Sequence, residues 1–171
     1  KGYRDPILAK RLKTRIDTLA SKLDSVRIMH VCGTHEWTIT HYGIRSLLPE
    51  NVEVRAGPGC PVCITPAGDI DAAVSLALKD KVVVAYGDMS QAKGSTMSLM
   101  NAKAAGGDVK LVYSVHDAVV LAQKDPSREY VFFAVGFETT APLTAYEILK
   151  TPPRNLSFLM SYRFVPPAVG A

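Results

Sequence analysis

The sequence predicts an α/β fold: a mainly parallel sheet flanked by helices and assembled from Rossmann-like βαβ units. Three observations carry that expectation. Short β-branched runs, Val82-Val83-Val84 the clearest, alternate at regular spacing with segments of helical period. The runs are continuously apolar, as strands covered on both faces are. A hydrophobic content of 47% with 21% charged residues, over 171 residues, supplies a real core.

Each element has its own signal. Residues 5–23 place Ile7, Leu8, Leu12, Ile16, Leu19 and Leu23 on one helical stripe opposite lysines and arginines, and Asp5-Pro6 is a good helix start. Residues 26–31 read as a short strand running into Cys32-Gly33-Thr34-His35, and a helix is expected over 34–48. Residues 51–56 form the second strand and feed Gly57-Pro58-Gly59-Cys60-Pro61-Val62-Cys63. A helix over 69–78, a strand over 81–86 and a polar loop over 87–95 follow, then a helix over 96–105, a strand over 109–113 and a helix over 115–123. The strand over 130–135 ends in Gly136-Phe137-Glu138-Thr139-Thr140, which is expected to open a helix to Lys150. Pro152-Pro153 stops that helix, and 156–161 reads as one more strand. The expected division is an α/β domain over 1–150 that carries the three cysteines, and the start of a further, truncated α/β segment over 151–171.

Composition excludes several classes. No apolar run approaches the roughly 18 residues of a membrane span, and the N-terminal segment is a charged helix pattern, not a signal peptide. Three cysteines, an odd number, argue against a secreted disulfide framework, so a cytoplasmic protein is expected. The net charge of +4 is spread out, without the basic stripe interleaved with aromatics that nucleic-acid binding needs. Lys93 precedes Gly94, where a phosphate-binding loop would place its lysine after the second glycine, and no Gly-x-Gly-x-x-Gly occurs.

The chemistry gathers in loops. Cys32, Cys60, Gly87 and Gly136 each follow a predicted strand, and in open α/β sheets functional groups collect at the carboxyl ends of strands. Four loops are therefore expected on one rim. In the heptapeptide, Gly57 and Gly59 permit backbone angles closed to other residues, while Pro58 and Pro61 stiffen the loop. Cys60 and Cys63 have the Cys-x-x-Cys spacing of dithiol redox loops. Cys32, His35, Cys60 and Cys63 also make a Cys₃His set of the kind zinc takes. Cys32 at a helix start favours thiolate, with His35 placed to orient it, deprotonate it or act as a ligand. His30 reads as structural, and His41 and His116 as surface residues. Glu138 and Thr139 read equally as helix-capping or as functional residues.

Cys32-Gly33-Thr34-His35-Glu36, the heptapeptide 57–63 and the pentapeptide 136–140, in that order and spacing, closely resemble the [NiFe]-hydrogenase maturation factor HypD family. The resemblance runs along nearly the whole chain. It implies a scaffold on which an iron centre carrying cyanide and carbon monoxide, Fe(CN)₂CO, is built before transfer to the hydrogenase. It implies two partners: the small chaperone HypC, which shares the iron through its own cysteine, and HypE, which supplies cyanide. Carried over, Cys32 is the iron ligand and Cys60 with Cys63 the redox pair beside it, with Gly57, Gly59, Gly136, Glu138 and Thr139 shaping the cofactor-binding surface. Family members carry further cysteines for a [4Fe–4S] cluster, which this sequence lacks, and often histidine where Trp37 and Tyr162 stand. Two other readings stay open: a stand-alone thiol–disulfide oxidoreductase and a zinc-stabilised α/β module.

Overall fold

A computed structural model describes residues 5–170. The chain divides into two compact units, Lys1–Cys60 and Pro61–Ala171. Among the described residues no helix is long and apolar enough to cross a membrane.

In the first unit the Asp5 carboxylate accepts from the amides of Ile7 (2.8 Å) and Leu8 (3.2 Å) and starts helix α1, Pro6–Ala20. Strand β1 (Val26–His30) pairs in parallel with β2 (Val52–Ala56), in the register Val26↔Val52 to His30↔Ala56. Asn51 ties the end of α1 to the start of β2: its side-chain amide donates to the carbonyls of Ala20 (2.8 Å) and Leu23 (2.9 Å). The α1 stripe read from the sequence is present but faces solvent. Ala20 is its one buried residue, while Ile7, Leu12 and Leu19 are more than half exposed.

The helix expected over 34–48 is two elements. α2 spans Gly33–His41, and a 3₁₀ turn follows over Ile44–Leu47. The break is at Gly43, which adopts the left-handed conformation (φ +60°) that ends many helices. That glycine was a readable stop signal. Together α2 and the turn make the crossover that brings the chain back parallel to β1.

The second unit is a four-stranded parallel sheet in the order β4-β3-β5-β6, with β3 at Val82–Tyr86, β4 at Val109–Val112, β5 at Tyr130–Gly136 and β6 at Leu156–Tyr162. Residues 151–171, expected to open a further segment, thus contribute β6, which pairs with β5 along its whole length. Alternation along the strands sends Val83, Ala85, Phe133 and Val135 to one face and Val82, Val84, Phe132 and Ala134 to the other. The first face packs on Ile70, Ala73, Val74 and Ala77 of α4 (Ala67–Ala77) and Leu99 and Ala102 of α5 (Leu99–Ala104). The second packs on Val115, Ala118, Val119 and Ala122 of α6 (Val115–Lys124). Both strand faces are dry, which is why the sequence shows unbroken apolar runs. Each fully buried valine or phenylalanine there contributes about 1.5–3 kcal/mol.

Three helix starts differ from expectation for local reasons. α5 starts at Leu99 rather than 96 because Ser98 and Asn101 close a capping box. Cys63 lies in a single helical turn, α3 (Pro61–Ile64), with a proline at its first position. Helix α7 (Ala141–Leu149) begins only after the 136–140 segment, again with a proline in its first turn.

Candidate functional site

The first unit brings two of the three cysteines together. β1 and β2 are parallel neighbours, so the loops that follow them leave from the same end. The ladder runs one step past the strands, where the Gly57 N–H donates to the His30 carbonyl at 2.7 Å. A Cβ on Gly57 would lie 2.6 Å from that carbonyl oxygen and 2.9 Å from Met29 Cγ, so glycine is required for space, not for its backbone angle as the sequence suggested. Gly59 is the residue that uses glycine's freedom, at φ +97°. The outcome is a Cys32 Sγ to Cys60 Sγ contact of 3.8 Å.

Cys32 caps α2 from an extended backbone conformation (φ −121°, ψ 131°). Its thiol is lowered from the ordinary 9.0 to about 7. The backbone N–H of Thr34 is the largest cause and that of His35 the next. Desolvation opposes them, and the Thr34 hydroxyl and the Cys60 thiol add smaller stabilisation. These amides belong to the first turn of α2, whose orphan N–H groups favour an anion. What reaches Cys32 from His35 is therefore its backbone. The exposed His35 ring lies edge-on to His30, centroids 6.2 Å apart.

Glu36 fixes that first turn, and the sequence reading missed its role. Its Oε1 accepts from Arg45 Nη1 (2.8 Å) and the Thr40 hydroxyl (2.9 Å); its Oε2 accepts from Arg45 Nη2 (2.8 Å) and contacts His30 Nε2 (2.8 Å). Arg45 Nε also donates to the Val54 carbonyl at 3.1 Å. One bidentate pair thus joins β1, α2, the 3₁₀ turn and β2 behind Cys32. The Arg45 hydrogen bonds, then those from Thr40 and His30, hold the Glu36 carboxyl down at about 2. His30, read as structural, is mostly buried, and its Nδ1 has no hydrogen-bond partner among the described residues. The Glu36–Thr40 spacing of four was a legible helix pair. Nothing in the sequence marked Arg45, nine residues on and beyond a helix break.

Cys63 is exposed and stands three residues from Cys60, on the far side of the peptide bond at which the two units are divided. Within the first unit, Cys32 and Cys60 offer two soft potential metal ligands with their sulfurs 3.8 Å apart.

In the second unit the strand order reverses between β3 and β5, so the crevice of the sheet lies beyond Tyr86-Gly87 and Gly136. A Cβ on Gly136 would lie 2.6 Å from Thr140 Cβ and 3.0 Å from the Tyr162 ring. The glycine therefore lets the Phe137–Thr140 turn fold back on the strand end, closed by Thr140 N–H to Phe137 O at 3.0 Å. Glu138 caps no helix of its own segment; its Oε1 accepts from the Val165 amide at 2.8 Å and anchors the chain beyond β6. Thr139 is exposed. Tyr162 is half-buried, and its hydroxyl meets that of buried Thr144 at 2.6 Å. The sequence expected the Cys32, Cys60, Gly87 and Gly136 loops on one rim; each unit places its own two at the carboxyl ends of its parallel strands.

The chain is similar to known proteins over nearly its whole length. The family model HypD, described as the hydrogenase formation hypA family, matches residues 7–171. A putative hydrogenase expression/formation protein of Methanocaldococcus jannaschii is 46% identical over 168 residues, which is 96% of this chain and 47% of that protein. The hydrogenase maturation factors HypD of Rhizobium leguminosarum and Escherichia coli are 47% and 44% identical over 156 and 160 residues, in each case 90% of this chain and 40% and 43% of theirs. The chain spans less than half the length of these relatives. It belongs to the HypD family of hydrogenase maturation factors.

Proposed function

We propose that this segment holds iron as cargo during assembly of the Fe(CN)₂CO group of [NiFe]-hydrogenase, with Cys32 as its ligand. The observation that carries the reading is the placement of Cys32 at the start of α2, where the first-turn amides lower its thiol, with the Cys60 thiol 3.8 Å away. Low-spin iron with strong-field ligands takes soft thiolates. One thiolate from this chain leaves positions for a cysteine of a small chaperone of the HypC kind, so the metal can be handed on. Cyanide arrives from a HypE-like donor. Cys60 and Cys63 act as a redox pair: when they join, their two electrons and two protons pass to a low-molecular-weight disulfide, which becomes two thiols. Gly57 and Gly59 shape the thiol loop, and Gly136, Glu138 and Thr139 the surface beyond the second sheet. His35 contributes its backbone N–H to Cys32, and the protein works in the cytoplasm.

A second reading has its own observation. Two thiolates at about 2.3 Å from a tetrahedral zinc have sulfurs about 3.8 Å apart, which is the Cys32–Cys60 separation. Metal analysis decides between them. Protein purified anaerobically with its small chaperone is expected to contain iron that is absent when the chaperone is left out. Stoichiometric zinc held equally with and without the chaperone would replace the iron reading by the zinc one.

A further inference from the structure

The Cys-x-x-Cys spacing points to a Cys60–Cys63 disulfide, yet the sulfur that the first unit sets against Cys60 is that of Cys32, at 3.8 Å. The two residues are 28 apart in sequence and are brought together by a paired ladder that continues through the Gly57–His30 hydrogen bond. A sulfur contact of 3.8 Å needs only a small approach to reach the roughly 2.05 Å of an S–S bond. The ladder starts the two loops from adjacent strand ends, and the loops bring the two short side chains into contact. We infer that Cys32 and Cys60 form a reversible disulfide across the two loops, in competition with the Cys60–Cys63 pairing, and that this oxidation withdraws Cys32 from any metal. The inference stands on the sulfur contact and goes beyond the iron reading.

The oxidant is a low-molecular-weight disulfide. A thiolate of the pair attacks one of its sulfurs, that S–S bond breaks, and one small thiol leaves while a mixed disulfide remains on the protein. The other cysteine attacks the protein sulfur of the mixed disulfide; the second small thiol leaves and the Cys32–Cys60 bond forms. The two protein thiols lose two electrons and two protons, and the small disulfide gains both to become two thiols. From an existing Cys60–Cys63 disulfide the same bond arises with no oxidant. Cys32 attacks Cys60 Sγ, and Cys63 leaves as thiolate.

The sequence makes the readout clean. Trypsin places Cys32 on peptide 28–45 and both Cys60 and Cys63 on peptide 56–79. Metal-free protein is equilibrated with glutathione and glutathione disulfide over a range of ratios, its remaining thiols are blocked, and the monomer is digested without reductant. The expected product is peptide 28–45 linked to 56–79, two hydrogens lighter than their sum. The link persists in Cys63→Ser and is lost in Cys60→Ser. Finding only peptide 56–79 lighter by two hydrogens, or no linked pair at any ratio, overturns the inference. So does a link that survives Cys60→Ser and disappears in Cys63→Ser. No metal enters this measurement, so it fails separately from the iron reading.

Discussion

If backbone amides and not an imidazole acidify Cys32, removing one amide must raise its titration. Thr34→Pro deletes the N–H that does most to favour the thiolate, at a first-turn position where proline fits a helix. The effect to be lost can be sized. A thiol at about 7 rather than 9.0 is roughly half thiolate at neutral pH instead of about 1%, about a 50-fold gain. The more acidic thiolate is intrinsically a weaker nucleophile, by about 10-fold over two pH units at a Brønsted slope near 0.5. Cys32 should therefore alkylate about 5-fold faster than an ordinary cysteine at neutral pH. The assay is iodoacetamide labelling of reduced, metal-free protein from pH 5.5 to 9.5, read on peptide 28–45. The unaltered chain should show a midpoint near 7, Thr34→Pro a midpoint displaced towards 9.0, and His35→Ala no displacement. A midpoint that moves in His35→Ala but not in Thr34→Pro would refute the reasoning and return the role to the imidazole.

Other outcomes follow from single contacts. Glu36 is depressed to about 2 in the folded chain against 4.5 ordinarily, so its stabilisation is complete above 4.5 and is lost as pH falls towards 2. Thermal melts across that range should show the loss, and Glu36→Gln should flatten it. Gly57→Ala drives a Cβ against the His30 carbonyl and Met29; the cost expected in denaturant titration is about 1–3 kcal/mol, and an unchanged midpoint would deny the close approach. Tyr162→Phe leaves the buried Thr144 hydroxyl without its 2.6 Å partner. A loss of about 1–3 kcal/mol is expected, with part recovered in the Tyr162→Phe, Thr144→Val double variant.

What was legible in the sequence was what depends on neighbours along the chain. Val82-Val83-Val84 and residues 130–135 read as dry strands because both of their faces are covered, and the parallel α/β class followed from their spacing. The two thiol loops were legible because each directly follows a strand. Long-range matters were not. The Glu36–Arg45 pair and the Arg45–Val54 contact cross a helix break and a strand, and no local pattern encodes them. The α1 stripe has the right period, but period does not say whether a partner covers it, and here Ile7 and Leu19 face solvent. Gly57 and Gly136 were legible as glycines that matter, though the reason, a carbonyl at 2.6 Å and a threonine Cβ at 2.6 Å, belongs to the folded chain. Glu138 was placed at a helix start, and its actual partner, the Val165 amide, lies 27 residues away.

The central claim, that Cys32 holds the iron being assembled, is tested most directly by infrared spectroscopy of the anaerobically co-purified complex with its small chaperone. The unaltered complex should show the stretching bands of iron-bound cyanide and carbon monoxide. Cys32→Ser is nearly isosteric and leaves both Cys60 and Cys63 in place, so the complex should still form and the bands should be absent. Bands of undiminished intensity in Cys32→Ser would mean that the iron is held elsewhere, and the role assigned to Cys32 would be wrong.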